Sequence, residues 1–279
     1  MNILVFIFIF SLGTIIGSFL NVVIFRFNTG KTIVKGRSIC MTCNRTLRWY
    51  ELIPIFSYLI QLGKCRRCAE KISHQYPLVE FITGLMFVLV AYHFIPMIFF
   101  SPLMYLLLVV FFTFIFSVLI VISVYDIRHK VIPDKLVFIF SFIAFLSLFI
   151  NYYDFSSLFI LPSPISFLSG PILALPFFLI WLLSRGKWMG LGDAKLMLGL
   201  GWILGIYMGL ASMILAFWIG AIVSISVMLL SKNLPALREQ AGKLNMKTEI
   251  PFAPFLIISA FIVFLFSIDI FTLAALFQF

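Results

Sequence analysis

Long runs of apolar residues constrain this chain more than anything else in it. They cover roughly 3–25, 78–95, 102–125, 135–151, 165–184, 191–204, 206–231 and 252–277. A ~30 Å hydrocarbon layer needs about 20 apolar residues per helix. The runs are continuous rather than alternating, so they suit helices and not the strands of a barrel. With 63% hydrophobic and 11% charged residues, no water-soluble core can hide the apolar surface. The expected fold is an all-α polytopic membrane protein of about eight transmembrane helices. The first run has no basic segment before it and is too long for a signal-peptide core, so it reads as a retained span. The sixth run is short, and its border with the seventh is loosely defined.

Charge orients these spans. Ten of the 20 Lys and Arg residues lie between Arg26 and Lys71, and the others flank alternate connections. The connections at 96–101, 152–164 and near Gly205 carry none. By the positive-inside rule, the basic connections face the cytoplasm and both termini face out. The net charge of +10 is therefore a topology signal. It calls for a lipid bilayer with anionic headgroups, and no nucleic-acid motif accompanies it.

Residues 26–77 form the one long polar segment and hold all four cysteines. Cys40 and Cys43 stand in "CMTC", Cys65 and Cys68 in "CRRC". Two C-x2-C pairs supply four thiolates for a tetrahedral Zn²⁺, leaving no open position, so the metal is expected to be structural. Redox or disulfide use is the alternative, disfavoured in a reducing cytosol. A small zinc-binding cytoplasmic domain is thus expected between helices 1 and 2. His74 reads as a solvated loop residue.

Ten acidic residues allow each to be questioned. Glu51, Glu70, Glu239 and Glu249 sit in basic segments and offset local charge. Asp154 falls in an outer loop, and Asp269 in the last span, where an interhelical hydrogen bond is one reading. Asp134 follows Pro133 and precedes an apolar run, the place of an N-cap. Asp126 closes a span, where the helix dipole disfavours an acid. Arg128, His129 and Lys130 offer an ion-pair explanation. Asp193 opens a span in "GLGDAKL", where an acid is favourable, so capping competes with chemistry. Gly190 and Gly192 before it permit close backbone approach or unusual φ/ψ. Asp126 and Asp193 share one membrane depth. Two close carboxylates retain a shared proton, so one activates water while the other polarises a carbonyl. Lys195 either snorkels to the interface or supports charge on Asp193. Gly201, Gly205 and Gly209 read either as close helix packing or as a kink. Asn21 and Glu80, one turn inside their spans, read equally as helix-packing hydrogen bonds or as substrate contacts.

Several blocks of the chain resemble the type IV prepilin peptidases, bacterial members of the GxGD membrane aspartyl proteases. They are "GSFLNVVIFR" (Gly17–Arg26), the two CxxC pairs around "LRWYELIPIFSYLIQLGKC", "YPLVE" (Tyr76–Glu80), "DIRHKVIPD" and "GLGDAKL". The resemblance implies that Asp126 and Asp193 are the catalytic pair and that Asp134 is not. It implies type IV prepilin or pseudopilin substrates, cleaved after a short basic leader at the cytoplasmic face of the bacterial inner membrane. It also implies N-methylation of the new N-terminus by S-adenosylmethionine. On this reading residues 1–25 are helix 1, residues 26–77 the zinc domain linked to methyl transfer, and residues 78–279 the peptidase spans. The chain departs from the family at Ala253 in "PFAPFL", where Gly is usual, and at Ser73-His74, where a basic pair is common.

Other classes make different demands. A transporter with a cytoplasmic zinc module needs acids along a path at mid-depth, and these acids cluster at one face. A non-catalytic assembly factor would not require the two aspartates. A peptidase without methyl transfer is the alternative within the enzyme class.

Overall fold

The computed structural model describes residues 3–30, 32–33, 36–150, 160–233 and 251–275. Asp154, Glu239, Glu249 and the basic residues Lys31, Lys35, Arg238, Lys243 and Lys247 lie outside them. The described chain is helical, with no strand beyond two isolated bridges. It falls into two compact units, Met1–Val121 and Ile122–Phe279.

In the first unit α1 (Ile3–Arg26) packs against α3 (Gln75–His93), and the short α2 (Phe56–Ile60) sits in the Cys-bearing segment between them. Glycines let the two long helices touch. A Cβ on Gly17 would stand 2.8 Å from the Cα of Glu80, and one on Gly13 2.8 Å from the Cα of Gly84. Small residues at a helix crossing allow this approach, which dispersion then rewards. A 3-10 turn, Ile95–Phe99, leads to α4 (Pro102–His129), which runs on into the second unit.

The second unit continues with α5 (Asp134–Ser147), α6 (Pro164–Ser184), α7 (Leu191–Asn233), α8 (Ala253–Phe266) and α9 (Ile270–Ala275). α7 is its hub and touches α5, α6, α8 and α9. At Gly205 the backbone takes φ 72° and ψ −178°, a conformation open only to glycine, and α7 breaks there into limbs 191–204 and 206–233. The two readings of the glycine series divide between its members. Gly205 is the break, while Gly201 is a packing glycine whose Cβ would stand 2.8 Å from the Cα of Gly170 on α6.

All eight expected apolar runs form helices. Five helices, α1, α3, α4, α6 and α7, are long and apolar enough to cross a bilayer. α5 and α8 have 14 residues each, about 21 Å at ~1.5 Å per residue. The last run is not one span to 277. It breaks at Ser267, whose φ is 50°. Asp269 then starts α9 by accepting the Thr272 N–H at 2.7 Å, so it is a local cap and not an interhelical link.

Candidate metal centre and carboxylate site

The two cysteine pairs fold into matching knuckles. Cys40 N–H donates to the Arg45 carbonyl and Cys65 N–H to that of Glu70, each at 2.9 Å. The residue after each pair, Asn44 or Ala69, turns through positive φ (52° and 56°). Each knuckle thereby aims backbone N–H groups at its first sulfur, from Cys43 and Thr42 toward Cys40 and from Cys68 and Arg67 toward Cys65. Those donors pull the Cys65 thiol down to about 6. Cys68 is pushed up to about 12, because burial and the neighbouring sulfurs outweigh the Glu70 N–H.

All four Sγ atoms lie within 4.8 Å of one another, and Cys40 and Cys68 are 3.8 Å apart. Zn–S bonds of about 2.3 Å set a tetrahedral S···S edge of about 3.8 Å. The donor set therefore fits a four-sulfur metal site, and a cation is what allows four crowded sulfurs to ionise together. Glu51 supports the knuckles from beside them. Its side chain is 1% exposed, pairs with Arg45 and accepts the Arg48 N–H at 2.8 Å. Offsetting local charge describes it incompletely, because it is a buried structural acid. His74 is exposed but not merely solvated, since its Nδ1 lies 2.7 Å from the Tyr58 hydroxyl.

Asn21 and Glu80 both bridge elements. Asn21 is 1% exposed and donates to the carbonyls of Gly17 and Tyr76 at 3.3 and 3.2 Å, tying α1 to the start of α3. Glu80 is buried, accepts the Ile55 N–H at 2.7 Å and the Ser18 hydroxyl, and so ties α3 to the Cys-bearing segment. Both also line a cavity of about 720 Å³.

In the second unit, Asp126 and Asp193 are buried at 5% and 7% exposure. Asp126 stands in the last turn of α4, which closes when Lys130 turns through φ 53° and returns its N–H to the Asp126 carbonyl. Among the described residues no ion pair links Asp126 to Arg128, His129 or Lys130. Compensation comes instead from the N-terminus of α8, whose Ala253 N–H donates to the Asp126 carboxylate. That N–H is one of the donors a helix start leaves over, and it brings the positive end of the α8 dipole to an acid that its own helix disfavours.

Asp193 is the third residue of α7, in its first turn and not at the N-cap position. Its Oδ1 is buried without a hydrogen-bond partner among the described residues. It lies close enough to Asp126 for the two charges to interact. Asp134 also lies inside its helix, as the first residue of α5, and accepts from Lys195 Nζ at 2.7 Å. The cation of Lys195 therefore serves Asp134 rather than Asp193, and the N-cap reading of Asp134 gives way to an ion pair.

The two glycines differ. A Cβ on Gly192 would stand 2.8 Å from the Cβ of Ile132, so that space is filled by the α4–α5 connection and is not room for a ligand. A Cβ on Gly190 would meet nothing nearer than 3.9 Å, and one of those atoms is Asp193 Oδ2. Neither glycine adopts positive φ. Reading the residues singly did not reveal the parts played by Ala253 and Ile132. The "PFAPFL" block was the available signal, since a proline in the first turn marks a helix start.

Residues 11–94 match the Bacterial Peptidase A24 N-terminal domain, and residues 113–225 match the Type IV leader peptidase family. The chain is 31% identical to the prepilin leader peptidase/N-methyltransferase of Bacillus subtilis, over 88% of this chain and 88% of that protein. It is 31% identical to the Pseudomonas aeruginosa protein of the same name, over 91% and 88% of the two chains. With the Vibrio cholerae one it shares 32% identity over 79% and 88%. No solved structure gives a significant match. Two domain matches in order and relatives aligned over most of both lengths place this membrane protein in the prepilin leader peptidase/N-methyltransferase family.

Proposed function

We propose that Asp126 and Asp193 form the catalytic dyad of a membrane aspartyl endopeptidase that removes the leader of type IV prepilins or pseudopilins. The observation that carries this reading is the pair itself, two buried acids within electrostatic reach of each other, one with an oxygen that has no partner among the described residues. Burying a carboxylate oxygen without a donor costs stability, which a packing role does not explain. Two such acids share one proton. The ionised carboxylate takes a proton from water as the water attacks the scissile carbonyl, and the protonated one donates to the carbonyl oxygen. The starts of α7 and α8 point positive dipole ends at the negative charge held there. Gly190, beside Asp193, leaves backbone space at the same place, and Lys195 supports the loop through Asp134.

The Cys-bearing domain belongs to a second activity, N-methylation of the new N-terminus with S-adenosylmethionine. Cys40, Cys43, Cys65 and Cys68 hold one structural Zn²⁺, which fixes the knuckles and leaves no coordination position for substrate. The density of Lys and Arg between Arg26 and Lys71 supports a cytoplasmic position for this domain at the bacterial inner membrane, and Arg128, Lys130, Arg185 and Lys187 independently support the same side for the cleavage site.

The deciding experiment incubates purified protein with a prepilin, with and without S-adenosylmethionine, and weighs the product. Leader loss that disappears in Asp126→Asn and Asp193→Asn is expected, with a methyl mass gain only when the donor is present. Normal cleavage by either variant would sink the dyad. Cleavage without any methyl gain would leave a peptidase alone.

A further inference from the structure

The first unit contains a cavity of about 720 Å³ whose described lining residues all fall within 18–80. That volume lies within the ~300–1,000 Å³ range of small-molecule sites. Its walls combine apolar surface with charged side chains of both signs (Arg26, Arg37, Lys71, Glu51, Glu70 and Glu80) and reach Cys40 and Cys65 of the sulfur site.

Two buried acids line it, and they differ in one respect. Glu51 is neutralised by Arg45. Glu80 receives the Ile55 N–H and the Ser18 hydroxyl and forms no ion pair among the described residues, while Arg26, Arg37 and Lys71 line other parts of the same cavity. A buried carboxylate without a counter-charge is costly in a purely structural role, and a cationic ligand would balance it. Beside it, Phe25 and Tyr76 stack with ring centroids 4.9 Å apart and an interplanar angle of 12°, and both rings line the cavity.

The turn that Glu80 holds, between the lining residues Leu52 and Ser57, is strained. Ile55, a β-branched residue, sits at φ 62° and ψ −54°, the centre of a γ-turn closed by Phe56 N–H to the Pro54 carbonyl at 2.6 Å. This conformation is rare and unfavourable for such a side chain. Strain of this kind persists where surrounding contacts over-determine it, commonly at ligand clamps.

We propose that this cavity is the S-adenosylmethionine site, with Glu80 as counter-charge to the donor's cationic end and the Phe25–Tyr76 stack as the platform for its adenine. The proposal rests on the methyl-transfer half of the function above. The chemistry fits the donor better than its demethylated product, S-adenosylhomocysteine, which has lost the sulfonium charge that Glu80 would balance.

The test is ligand binding to the full-length purified protein, read by calorimetry and independent of turnover. Glu80→Gln is expected to weaken S-adenosylmethionine about tenfold and S-adenosylhomocysteine less than about threefold. Tyr76→Ala should weaken both alike. In the wild type, ultraviolet crosslinking of labelled S-adenosylmethionine should mark peptides within residues 18–80, a readout that stands even where a variant fails to fold. Crosslinks confined to residues 122–279, or no measurable binding of either ligand, would overturn the proposal. Methylated product formed together with crosslinks outside the cavity would overturn the site alone. Bound donor in the cavity with no methylated product would instead overturn the methyl-transfer reading.

Discussion

Lys195 donates to Asp134 Oδ1 at 2.7 Å, and with that bond it joins the N-terminal end of α7 to the first turn of α5. A lysine two residues beyond Asp193 would, on spacing alone, be assigned to that acid. The ion pair is partly exposed, at 30% for the lysine side chain and 63% for the aspartate. Exposed pairs contribute roughly 0–1 kcal/mol. Asp134→Asn and Lys195→Gln should each slow prepilin cleavage less than about fivefold, and the double variant should match the slower single one. A cleavage assay on the three purified proteins checks this.

The dyad should fail as a unit. Asp126→Asn and Asp193→Asn are each expected to reduce cleavage by at least about 10²–10⁴, the range of a lost acid–base group. The double variant should be no slower than either, because removing one partner already ends the shared chemistry. Unchanged melting temperature in detergent would separate this loss from unfolding.

Ala253 supplies Asp126 with a backbone N–H, so its side chain is not what the acid needs. Ala253→Gly keeps that donor and should retain cleavage. Its methyl is fully buried, and the greater freedom of glycine should cost about 1 kcal/mol, visible as a lower melting temperature.

The glycines of "GLGD" should separate by stability. Gly192→Ala drives a methyl into Ile132 and should cost about 1–3 kcal/mol. Ile132→Ala in the same chain should recover little of that loss, because the nearest atom, the Ile132 Cβ at 2.8 Å, is kept. Gly190→Ala meets nothing within 3.9 Å, so only the weaker capping tendency of alanine, up to about 1 kcal/mol, should register. Thermal unfolding of the three variants measures the difference.

The sulfur site should hold one Zn²⁺ per chain by elemental analysis and lose it to a strong chelator. Zinc binds thiolates, so protons compete with it, and its affinity must fall as pH falls. Zinc release should therefore grow as pH is lowered, a course that a zinc-sensitive dye follows. Cys40→Ser should release metal at a higher pH than the native protein does.

Composition and run length determined that this chain is a helical membrane protein, because apolar area on this scale has no other stable solvent. Local spacing determined the four-sulfur site, because each C-x2-C pair builds its own knuckle within a few residues. The same order of motifs along the chain carried the family. What the sequence alone left undecided were partners that only packing brings together. Asp193 and Asp134 both looked like caps, since capping is a local property. Their neighbours from other helices decided otherwise, with Lys195 taking Asp134 and Asp193 Oδ1 left without a donor among the described residues. Asp126 looked anomalous at the end of α4 because its compensating N–H lies 127 residues further on, at the start of α8. The space beside Gly192 looked open until Ile132 filled it. Each of these outcomes depends on which helix ends meet, and no local pattern encodes that.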